Sequence, residues 1–293
     1  MSLLTPIGKP QYLFRPRCAL TRLLIGMHVL RLPPVVRLPW GKNLEVDLAD
    51  PVGYALATQG GLFDIVTTEV VWRLTQSGDT AFDIGANVGY FTSLLAHRVG
   101  RRGRVLAFEP HPATFPLLQR NIELQGRTGG AISAFEVALS ESAGNGTLDI
   151  LPERRNHISY AFLTDKPSST SINVKLMRGD EFIGNGGIGL MKIDAQWHEE
   201  AVLKGFGTRL RSGVIRDIVF EEEAPFPAPS HRVLLDAGYT ILWFEEHFRG
   251  PKIISPNDKP KNLRPYDMLP SYVATLDARR AETLLSRPGW QSF

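Results

Sequence analysis

The stretch FDIGANVGYF (residues 82–91) has the composition of a ligand-binding loop between a strand and a helix. Gly85 and Gly89 give the chain room to turn, but Asn87 stands where the G-x-G-x-x-G fingerprint of dinucleotide sites has its second glycine. That glycine is the one that lets a pyrophosphate approach the backbone. Asp83, at the end of the strand, would repel a diphosphate and attract an ammonium group. The loop therefore favours a cationic ligand without phosphate.

A second acidic residue stands at the end of the next strand, in AFEP (107–110). Glu109 lies roughly twenty residues beyond Gly89, where an acidic side chain can accept hydrogen bonds from both hydroxyls of a ribose. Together with Asp83 it indicates an adenosine ligand that carries an ammonium group, as S-adenosylmethionine does. The alternative, which the spacing makes less favoured, is that both carboxylates are ordinary polar residues in solvated turns.

The segments around these residues alternate between strand and helix patterns, which predicts an α/β fold with a parallel sheet covered by helices on both faces. Apolar runs that end in charge are typical of buried parallel strands, and IGLMKID and RDIVFEEE show this pattern. The predicted order is strand 80–85, helix 90–99, strand 104–110, helix 114–126, strands 132–140, 146–151, 172–177, 188–194 and 216–223, helix 230–239, strands 240–246 and 272–277, and helix 278–287.

The two ends of the chain are predicted to pack on this core. The N-terminal segment, which we call the cap, should contain an amphipathic helix at 18–32 and a short β pair that turns at Gly41. The core should begin with a helix at 63–78. Four prolines make 251–270 an irregular loop. The predicted divisions are an N-terminal cap (1–62), a core (63–250), and a C-terminal loop, strand and helix (251–293).

The composition excludes several classes of protein. The 33 basic and 30 acidic residues leave a net charge of +3 on a nearly balanced surface, which does not favour a nucleic-acid partner. Cys18 is the single cysteine, which excludes an internal disulfide and a cysteine-rich zinc site and suggests a cytoplasmic location. The sequence contains no uninterrupted apolar run of about eighteen residues, so no transmembrane segment is predicted. The basic residues of 18–32 leave weak association with a membrane surface open, beside the favoured helix packed on its own domain.

Four segments, in this order, resemble the FkbM family of class I S-adenosylmethionine-dependent methyltransferases: FDIGANVGYFTSLLA, VLAFEPHPATFPLLQRNIELQG, FEVALSESAGNGTL and LMKIDAQWHEEAVLKGF. The resemblance covers about 65–245. It implies a Rossmann-like, doubly wound, mostly parallel sheet of seven strands, and methyl transfer to a hydroxyl of a small molecule such as a sugar, a glycoside or another secondary metabolite. It further implies a cofactor site made of Asp83, Gly85, Ala86, Asn87, Gly89, Glu109, Pro110, Ala138, Leu139 and Ser140, with Glu109 on the ribose and the last three on the adenine side.

The chain departs from the family pattern after the fourth strand, where KIDAQWHEE replaces the usual K-I-D-V-E-G-A-E. Gln196 stands in place of a carboxylate, and Trp197 in place of a glycine, at the expected mouth of the site. The departure leaves three alternatives open: an altered acceptor, an N-methyltransferase that needs less help from a base, and a non-catalytic module that binds S-adenosylmethionine.

A hydroxyl acceptor must be aligned with the donor and must lose its proton. Ligands of open parallel sheets bind outside the carboxyl ends of the strands, where the candidates are Asp194, Lys192, His198 and Glu221. Ordinary ion pairs or surface positions are the alternative for each of them. Asp194 and a neighbouring glutamate could hold Mg²⁺, which prefers oxygen ligands. His157 and Tyr160 could line a lid over the acceptor.

Overall fold

The computed structural model describes residues 32–126, 129–150, 161–184, 186–255 and 271–292. Three expectations fall outside these residues, wholly or almost so. They concern the amphipathic helix at 18–32, the lid residues His157 and Tyr160, and the proline-rich loop from residue 256 onward. Within the described part of the chain, no helix is long and apolar enough to cross a membrane.

Helices and strands alternate through the middle of the chain much as the sequence predicts. The helices are α1 (Pro51–Thr58), α2 (Ile65–Leu74), α3 (Tyr90–Val99), α4 (Phe115–Gln125), α5 (Glu199–Lys204), α6 (Gly207–Arg211), α7 (Pro229–Asp236) and α8 (Ala278–Leu285). The strands are β1 (Val35–Arg37), β2 (Asn43–Glu45), β3 (Thr80–Ile84), β4 (Arg104–Phe108), β5 (Ala131–Phe135), β6 (Ala138–Leu139), β7 (Gly144–Ile150), β8 (Ala161–Leu163), β9 (Ile172–Met177), β10 (Ile188–Ile193), β11 (Ile215–Glu221), β12 (Thr240–His247), β13 (Gly250–Ile254) and β14 (Ser271–Thr275).

The central sheet has the order β13-β12-β14-β11-β10-β3-β4-β5 among the described residues. The five strands from β11 to β5 are parallel to one another, and β14 is inserted antiparallel between β11 and β12. This arrangement confirms the prediction of a doubly wound, mostly parallel α/β sheet. It brings the carboxyl ends of β3, β4, β10 and β11 to one edge, where ligands of such sheets bind.

The sheet contains one strand more than the seven that the family resemblance implies. The additional strand is β13, at the start of the segment predicted to be an irregular loop. Pro251 lies in β13, opposite Glu246 of β12, and β13 is the outermost strand of the sheet. Proline is tolerated at such an edge because its missing N–H need not face another strand. The prediction of an irregular loop from the prolines was therefore wrong for residues 251–254, which belong to β13.

The sheet is buried on both faces by helices. Every residue of β10 is buried, and its sequence is apolar except for Lys192, as expected for a strand covered on both faces. One apolar cluster packs β3 and β4 against α2 and α3 and includes Leu94 and Leu95. A second cluster, on the opposite face, packs the sheet against α5 to α7 and includes Phe206 and Leu234.

A second, smaller sheet of order β6-β9-β7-β8 was not predicted as a separate unit. Its strands β7 and β9 correspond to the predicted strands at 146–151 and 172–177. The single strand predicted over 132–140 is in fact broken at Glu136 and Val137. Its first half, β5, pairs with β4, whereas its second half, β6, pairs with β9. The break takes the chain from the central sheet to the small one.

The described part of the N-terminal segment packs beside α3 and α4. The predicted β pair is present as β1 and β2, and it is followed by a helix, α1, that the sequence reading missed. Asp50 caps α1 by accepting a hydrogen bond from the N–H of Val52, and Pro51 occupies its first turn. The indole N–H of Trp40 donates to Ser93 of α3 at 2.8 Å.

Candidate active site

A cleft with about 680 Å³ of space, partly open to solvent, lies at the carboxyl ends of β3, β4 and β10. Strands β7 and β8 of the small sheet contribute to its wall. The residues lining it are Ile84, Gly85, Asn87, Phe108, Glu109, Pro110, His111, Thr114, Val137, Ala138, Leu139, Leu148, Ala161, Leu163, Asp194, Ala195, Gln196 and His198. The lining combines apolar side chains with a few polar groups, which is typical of sites that bind small molecules.

The glycines of the loop between β3 and α3 are required by the backbone. Gly85 has a φ of +76°, and a Cβ atom there would lie 1.9 Å from the carbonyl oxygen of Asp194. Gly89, which precedes α3, has a φ of +93°, and a Cβ atom there would lie 2.8 Å from Leu118. Any larger residue at either position would strain the loop and displace its neighbours.

The loop does not form a cradle for phosphate. Its five consecutive N–H groups all donate within the protein: Gly85 and Ala86 to the Phe108 carbonyl, Asn87 to Glu109, Val88 to the Asn87 side chain, and Gly89 to the Ala86 carbonyl. A phosphate-binding loop instead presents free N–H groups to its ligand. The hydrogen bonding therefore agrees with the prediction of a ligand without phosphate.

Glu109 connects this loop to the end of β4 and faces the cleft. Its carboxylate accepts hydrogen bonds from the N–H of Asn87 and from the N–H of His111, each at 2.8 Å. Burial raises the pKa of Glu109 to about 7, although these two hydrogen bonds act in the opposite direction. The two donors hold the carboxylate in place, and each of its oxygens retains a lone pair that can accept from a ligand.

Asp83 does not reach the cleft, which disagrees with its expected contact to the ammonium of the ligand. Its side chain is fully buried, and one oxygen accepts a hydrogen bond from the Thr92 hydroxyl at 2.6 Å. The other oxygen lies 4.0 Å from Nζ of Lys192 and has no hydrogen bond to a described residue. Asp83 points into the interior beneath the loop, where its charge faces Lys192.

Lys192 and Asp194 form an ion pair at the end of β10. Nζ of Lys192 lies 3.2 Å from one oxygen of Asp194, and the amide of Gln196 donates to the other at 2.8 Å. Burial would lower the pKa of Lys192, but Asp194 and Asp83 together raise it, so the buried ammonium stays charged. Asp194 lines the cleft, whereas Lys192 supports it from behind.

His198 lines the cleft close to the end of β6. Its Nε2 lies 3.0 Å from the hydroxyl of Ser140. Burial lowers the pKa of His198, so its imidazole is neutral at pH 7 and able to accept a proton. It is thus a second group, besides Asp194, that could act as a base.

The predicted site residues divide into two groups. Those that line the cleft are Gly85, Asn87, Glu109, Pro110, Ala138, Leu139, Asp194 and His198. Those that lie behind or beside it are Asp83, Ala86, Gly89, Ser140, Lys192 and Glu221. The sequence reading missed Leu148, Ala161 and Leu163, which reach the cleft from the small sheet. Their apolar alternation indicates a buried face but not which cavity that face covers.

A second, smaller cavity, with about 220 Å³ of space that includes open solvent, adjoins the cleft at Gln196, which lines both. We call it the acidic cavity; it is lined by Gln196, Trp197, Glu199, Glu221, Glu222 and Glu223. The turn that forms it has positive φ angles at Gln196 (+47°) and Trp197 (+69°). Such angles suit glycine, the residue that the family resemblance expects at position 197, and are unusual for a bulky side chain.

The expected Mg²⁺ site finds no support in the structure. Across the described ranges, no three or more His, Cys, Asp or Glu side chains are arranged to hold a metal ion. The two oxygens of Asp194 are engaged by Lys192 and Gln196. An ammonium group beside the carboxylate supplies the positive charge that a metal would otherwise bring.

Glu199 at the start of α5 offers a direct test of this electrostatic environment. Burial and nearby carboxylates raise its pKa from 4.5 to about 7, while the Ala195 N–H that it accepts at 3.0 Å acts in the opposite direction. Since the folded-state pKa lies above the unfolded one, its contribution to stability is complete below about pH 4.5 and is lost as the pH rises through 7.

We therefore expect Glu199→Gln, which cannot titrate, to gain stability relative to the wild type as the pH rises. The gain in the free energy of unfolding between about pH 4.5 and pH 8 should be on the order of 3 kcal/mol. Urea unfolding at several pH values measures it, with exposed Glu282→Gln as the control. Parallel pH profiles for the wild type and Glu199→Gln would contradict the raised pKa.

Comparison with known proteins adds a family to this geometry. The sequence profile described as "Methyltransferase FkbM domain" matches residues 83–241, which is more than half of the chain. The matched segment contains the glycine loop, Glu109 and Asp194. It therefore spans both the proposed ligand contacts and the ion pair at the end of β10.

Individual relatives are more distant. The chain is 27% identical to the hexuronic acid methyltransferase AglP of Haloferax volcanii over 208 residues, which cover 64% of this chain and 80% of that protein. It is 28% identical to the 31-O-demethyl-FK506 methyltransferase FkbM of Streptomyces tacrolimicus over 158 residues, which cover 44% and 59% of the two chains. A solved SAM-dependent O-methyltransferase from Thermotoga maritima matches with a TM-score of 0.43 and 15% identity, covering 86% of this chain and 80% of its own.

Proposed function

The chain belongs to the FkbM family of S-adenosylmethionine-dependent methyltransferases, and we propose that it transfers a methyl group from S-adenosylmethionine to a hydroxyl of a small molecule. The observation that carries this proposal is the combination of a glycine loop whose N–H groups are all used internally with a fixed carboxylate, Glu109, in the same cleft. The first feature disfavours a phosphate-bearing nucleotide, and the second suits a ribose.

The residues of the cleft fit each part of the proposed donor. Glu109 would accept hydrogen bonds from the ribose hydroxyls, and Ala138 and Leu139 would contact the adenine. Residues of the loop, chiefly Gly85 and Asn87, would border the methionine part. Asp83 would act only from behind, by keeping Lys192 charged and in place.

Asp194 is the residue that we propose handles the acceptor. S-adenosylmethionine, when bound, supplies an electrophilic methyl group on a sulfonium and leaves as S-adenosylhomocysteine. Asp194 would accept the hydrogen bond of the acceptor hydroxyl, orient the oxygen, and take up its proton as the new carbon–oxygen bond forms. Gln196 and Lys192 hold the carboxylate from both sides, so it is aligned before the acceptor arrives.

The acceptor class is proposed from the relatives and from the chemistry of the cleft. The names of two relatives refer to a hexuronic acid and to 31-O-demethyl-FK506, which supports a sugar, a glycoside or another hydroxyl-bearing metabolite as acceptor. An N-methyltransferase and a non-catalytic binding module are the alternatives. For the cellular location we propose the cytoplasm, on the strength of the single cysteine.

Titration calorimetry tests the donor assignment. The purified protein would be titrated with S-adenosylmethionine and, separately, with NAD. We expect saturable binding of the first and none of the second. If a folded sample binds neither S-adenosylmethionine nor NAD, the donor assignment is wrong. In a separate assay with methyl-labelled S-adenosylmethionine, transfer of the label to amines only would favour the N-methyltransferase.

Glu109→Gln should weaken binding of S-adenosylmethionine by roughly 10- to 150-fold. A glutamine has one acceptor oxygen for two backbone N–H donors and loses the charge that strengthens hydrogen bonds from the ribose, which corresponds to about 1.5–3 kcal/mol. Calorimetry measures the affinity, and exposed Glu123→Gln on α4 is the control. An unchanged affinity, with an intact fold by circular dichroism, would exclude Glu109 from the site.

A further inference from the structure

Two hydrogen-bond donors beside Glu109 have no partner in the described part of the protein. The first is the hydroxyl of Thr114, which makes no hydrogen bond to a described residue, although the residue is only 9% exposed. A threonine that precedes a helix usually caps it through this hydroxyl, but Thr114 does not cap α4. Since burying an unpaired hydroxyl costs free energy, a contact with a ligand explains its position better than a structural role.

The second donor is the ring of His111. Its Nδ1 accepts a hydrogen bond from the N–H of Ala113 at 3.2 Å, and its backbone N–H donates to Glu109 at 2.8 Å. Burial lowers the pKa of His111, so the ring is neutral at pH 7 and carries a single proton. Because Nδ1 acts as an acceptor, this proton lies on Nε2, which has no hydrogen-bond partner among the described residues.

Both donors open into the cleft next to Glu109. His111 and Thr114 line it, and neither Nε2 nor the threonine hydroxyl belongs to the unpaired atoms that are sealed from solvent in the described ranges. A ligand in the cleft can therefore accept from them. The segment that joins β4 to α4 thus offers one carboxylate acceptor and two neutral donors on the same side of the cleft.

The other polar groups around the cleft leave few donors for this side. The N–H groups of the glycine loop bond within the protein. The amide of Gln196 and Nε2 of His198 are engaged by neighbouring side chains. Asn87 borders the proposed methionine part of the ligand. His111 and Thr114 are therefore the side chains that can donate where Glu109 accepts.

A pair of ribose hydroxyls needs donors as well as an acceptor. Each hydroxyl can donate its hydrogen to the carboxylate of Glu109, but each oxygen keeps lone pairs that water satisfies in solution. A carboxylate cannot donate to these lone pairs. If the cleft supplied no donor, the oxygens would lose hydrogen bonds on binding, and the affinity would fall.

We propose that Nε2–H of His111 and the hydroxyl of Thr114 donate hydrogen bonds to the two ribose hydroxyl oxygens of the methyl donor. This inference rests on the proposed function and adds to it two residues that determine specificity for the ribose. Glu109 accepts from the same hydroxyls. The cleft therefore discriminates against donors that lack either hydroxyl.

Calorimetry on the full chain tests this assignment with S-adenosylhomocysteine and its 2′-deoxy and 3′-deoxy analogues. The variants are His111→Asn and Thr114→Val. Asparagine can still accept from the N–H two residues further on, so the turn before α4 is kept, but its shorter side chain places no donor where Nε2 lies. Valine keeps the branched shape of threonine without its hydroxyl.

The chain offers a matched control for each variant. Thr114→Ser retains the hydroxyl. His247→Asn changes an exposed histidine whose Nδ1 accepts from the N–H of Arg249 at 3.3 Å, in the same way as Nδ1 of His111 accepts from Ala113. Both controls should bind all three ligands within about twofold of the wild-type affinity, because neither removes a donor from the cleft.

Each test variant should bind S-adenosylhomocysteine roughly three- to tenfold more weakly, the effect of one lost hydrogen bond. This loss should shrink below about twofold with the analogue that lacks the hydroxyl served by the mutated residue, and persist with the other analogue. Unchanged affinity in either variant, or an equal loss with all three ligands, would overturn the proposal for that residue while the donor assignment stands. If the wild type binds none of the three ligands, the donor assignment has failed, and this inference fails with it.

Discussion

Asp194→Asn should lower kcat for methyl transfer by roughly 10²- to 10⁴-fold, the range over which a positioned acid or base contributes to catalysis. Asparagine keeps the size of the side chain and one acceptor oxygen. It cannot take up the proton of the acceptor hydroxyl, and its amide no longer balances the charge of Lys192. The affinity for S-adenosylmethionine should change by less than about threefold, because Asp194 faces the acceptor.

His198→Gln provides the matched comparison for this experiment. Its imidazole is neutral and lines the same cleft, but its Nε2 is engaged by Ser140. If His198→Gln lowers kcat by roughly 10²- to 10⁴-fold and Asp194→Asn leaves kcat nearly unchanged, the base is His198 rather than Asp194. A phenol offered as acceptor loses its proton more easily than an alcohol and depends less on a base. It should therefore restore part of the lost rate only in the variant that lacks the true base.

Much of the proposed donor side of the cleft could be predicted from the sequence because it is local. Gly85, Asn87 and Glu109 follow two adjacent parallel strands, so their meeting at one edge follows from the βαβ pattern alone. The family resemblance adds Ala138 and Leu139, which also line the cleft. For these residues the position in the chain determines the position in space.

The direction of a side chain was harder to predict than its place. Asp83 and Glu109 both stand at strand ends, yet Asp83 is buried beneath the loop and Glu109 faces the cleft. The difference depends on Thr92 and Lys192, which come from α3 and β10 and receive Asp83 in the interior. Contacts of this kind join segments that are distant in the sequence, and no local sequence pattern predicts them.

The small sheet and the acidic cavity could not be predicted for the same reason. Strand β8 is only three residues long, and its side chains Ala161 and Leu163 serve the cleft while Phe162 meets Trp197. The sequence did mark Gln196 and Trp197 as departures from the family pattern. Their consequence, a cavity that joins the end of β11 to the cleft, required the structure.

Arg73→Met should be the most destabilising of the substitutions considered, with a loss of about 3–5 kcal/mol in the free energy of unfolding. Arg73 and Glu69 form a fully buried ion pair on α2, with 2.6 Å between Nε and the carboxylate. The guanidinium also donates to the backbone carbonyls of Leu285, Arg287 and Gly289, and so fixes the segment after α8.

Glu69 completes this attachment by accepting hydrogen bonds from the N–H groups of Gln291 and Ser292. Methionine would fill most of the volume of Arg73, but it would leave the buried carboxylate of Glu69 without its cation and three carbonyls without donors. Loss of these partners, rather than of packing, is therefore the expected cause of the instability.

Urea unfolding of Arg73→Met, beside Arg120→Met, measures the difference between a buried and an exposed ion pair. Arg120 pairs with Glu45 at 3.2 Å, with the two side chains 53% and 36% exposed, so its loss should cost no more than about 1 kcal/mol. Hydrogen exchange should show where the effect lies. Relative to the wild type, Arg73→Met should accelerate exchange more at Gln291 and Ser292 than in β3 or β10. If both variants lose stability equally, the C-terminal segment is held by its apolar contacts, and the ion pair on α2 is incidental to it.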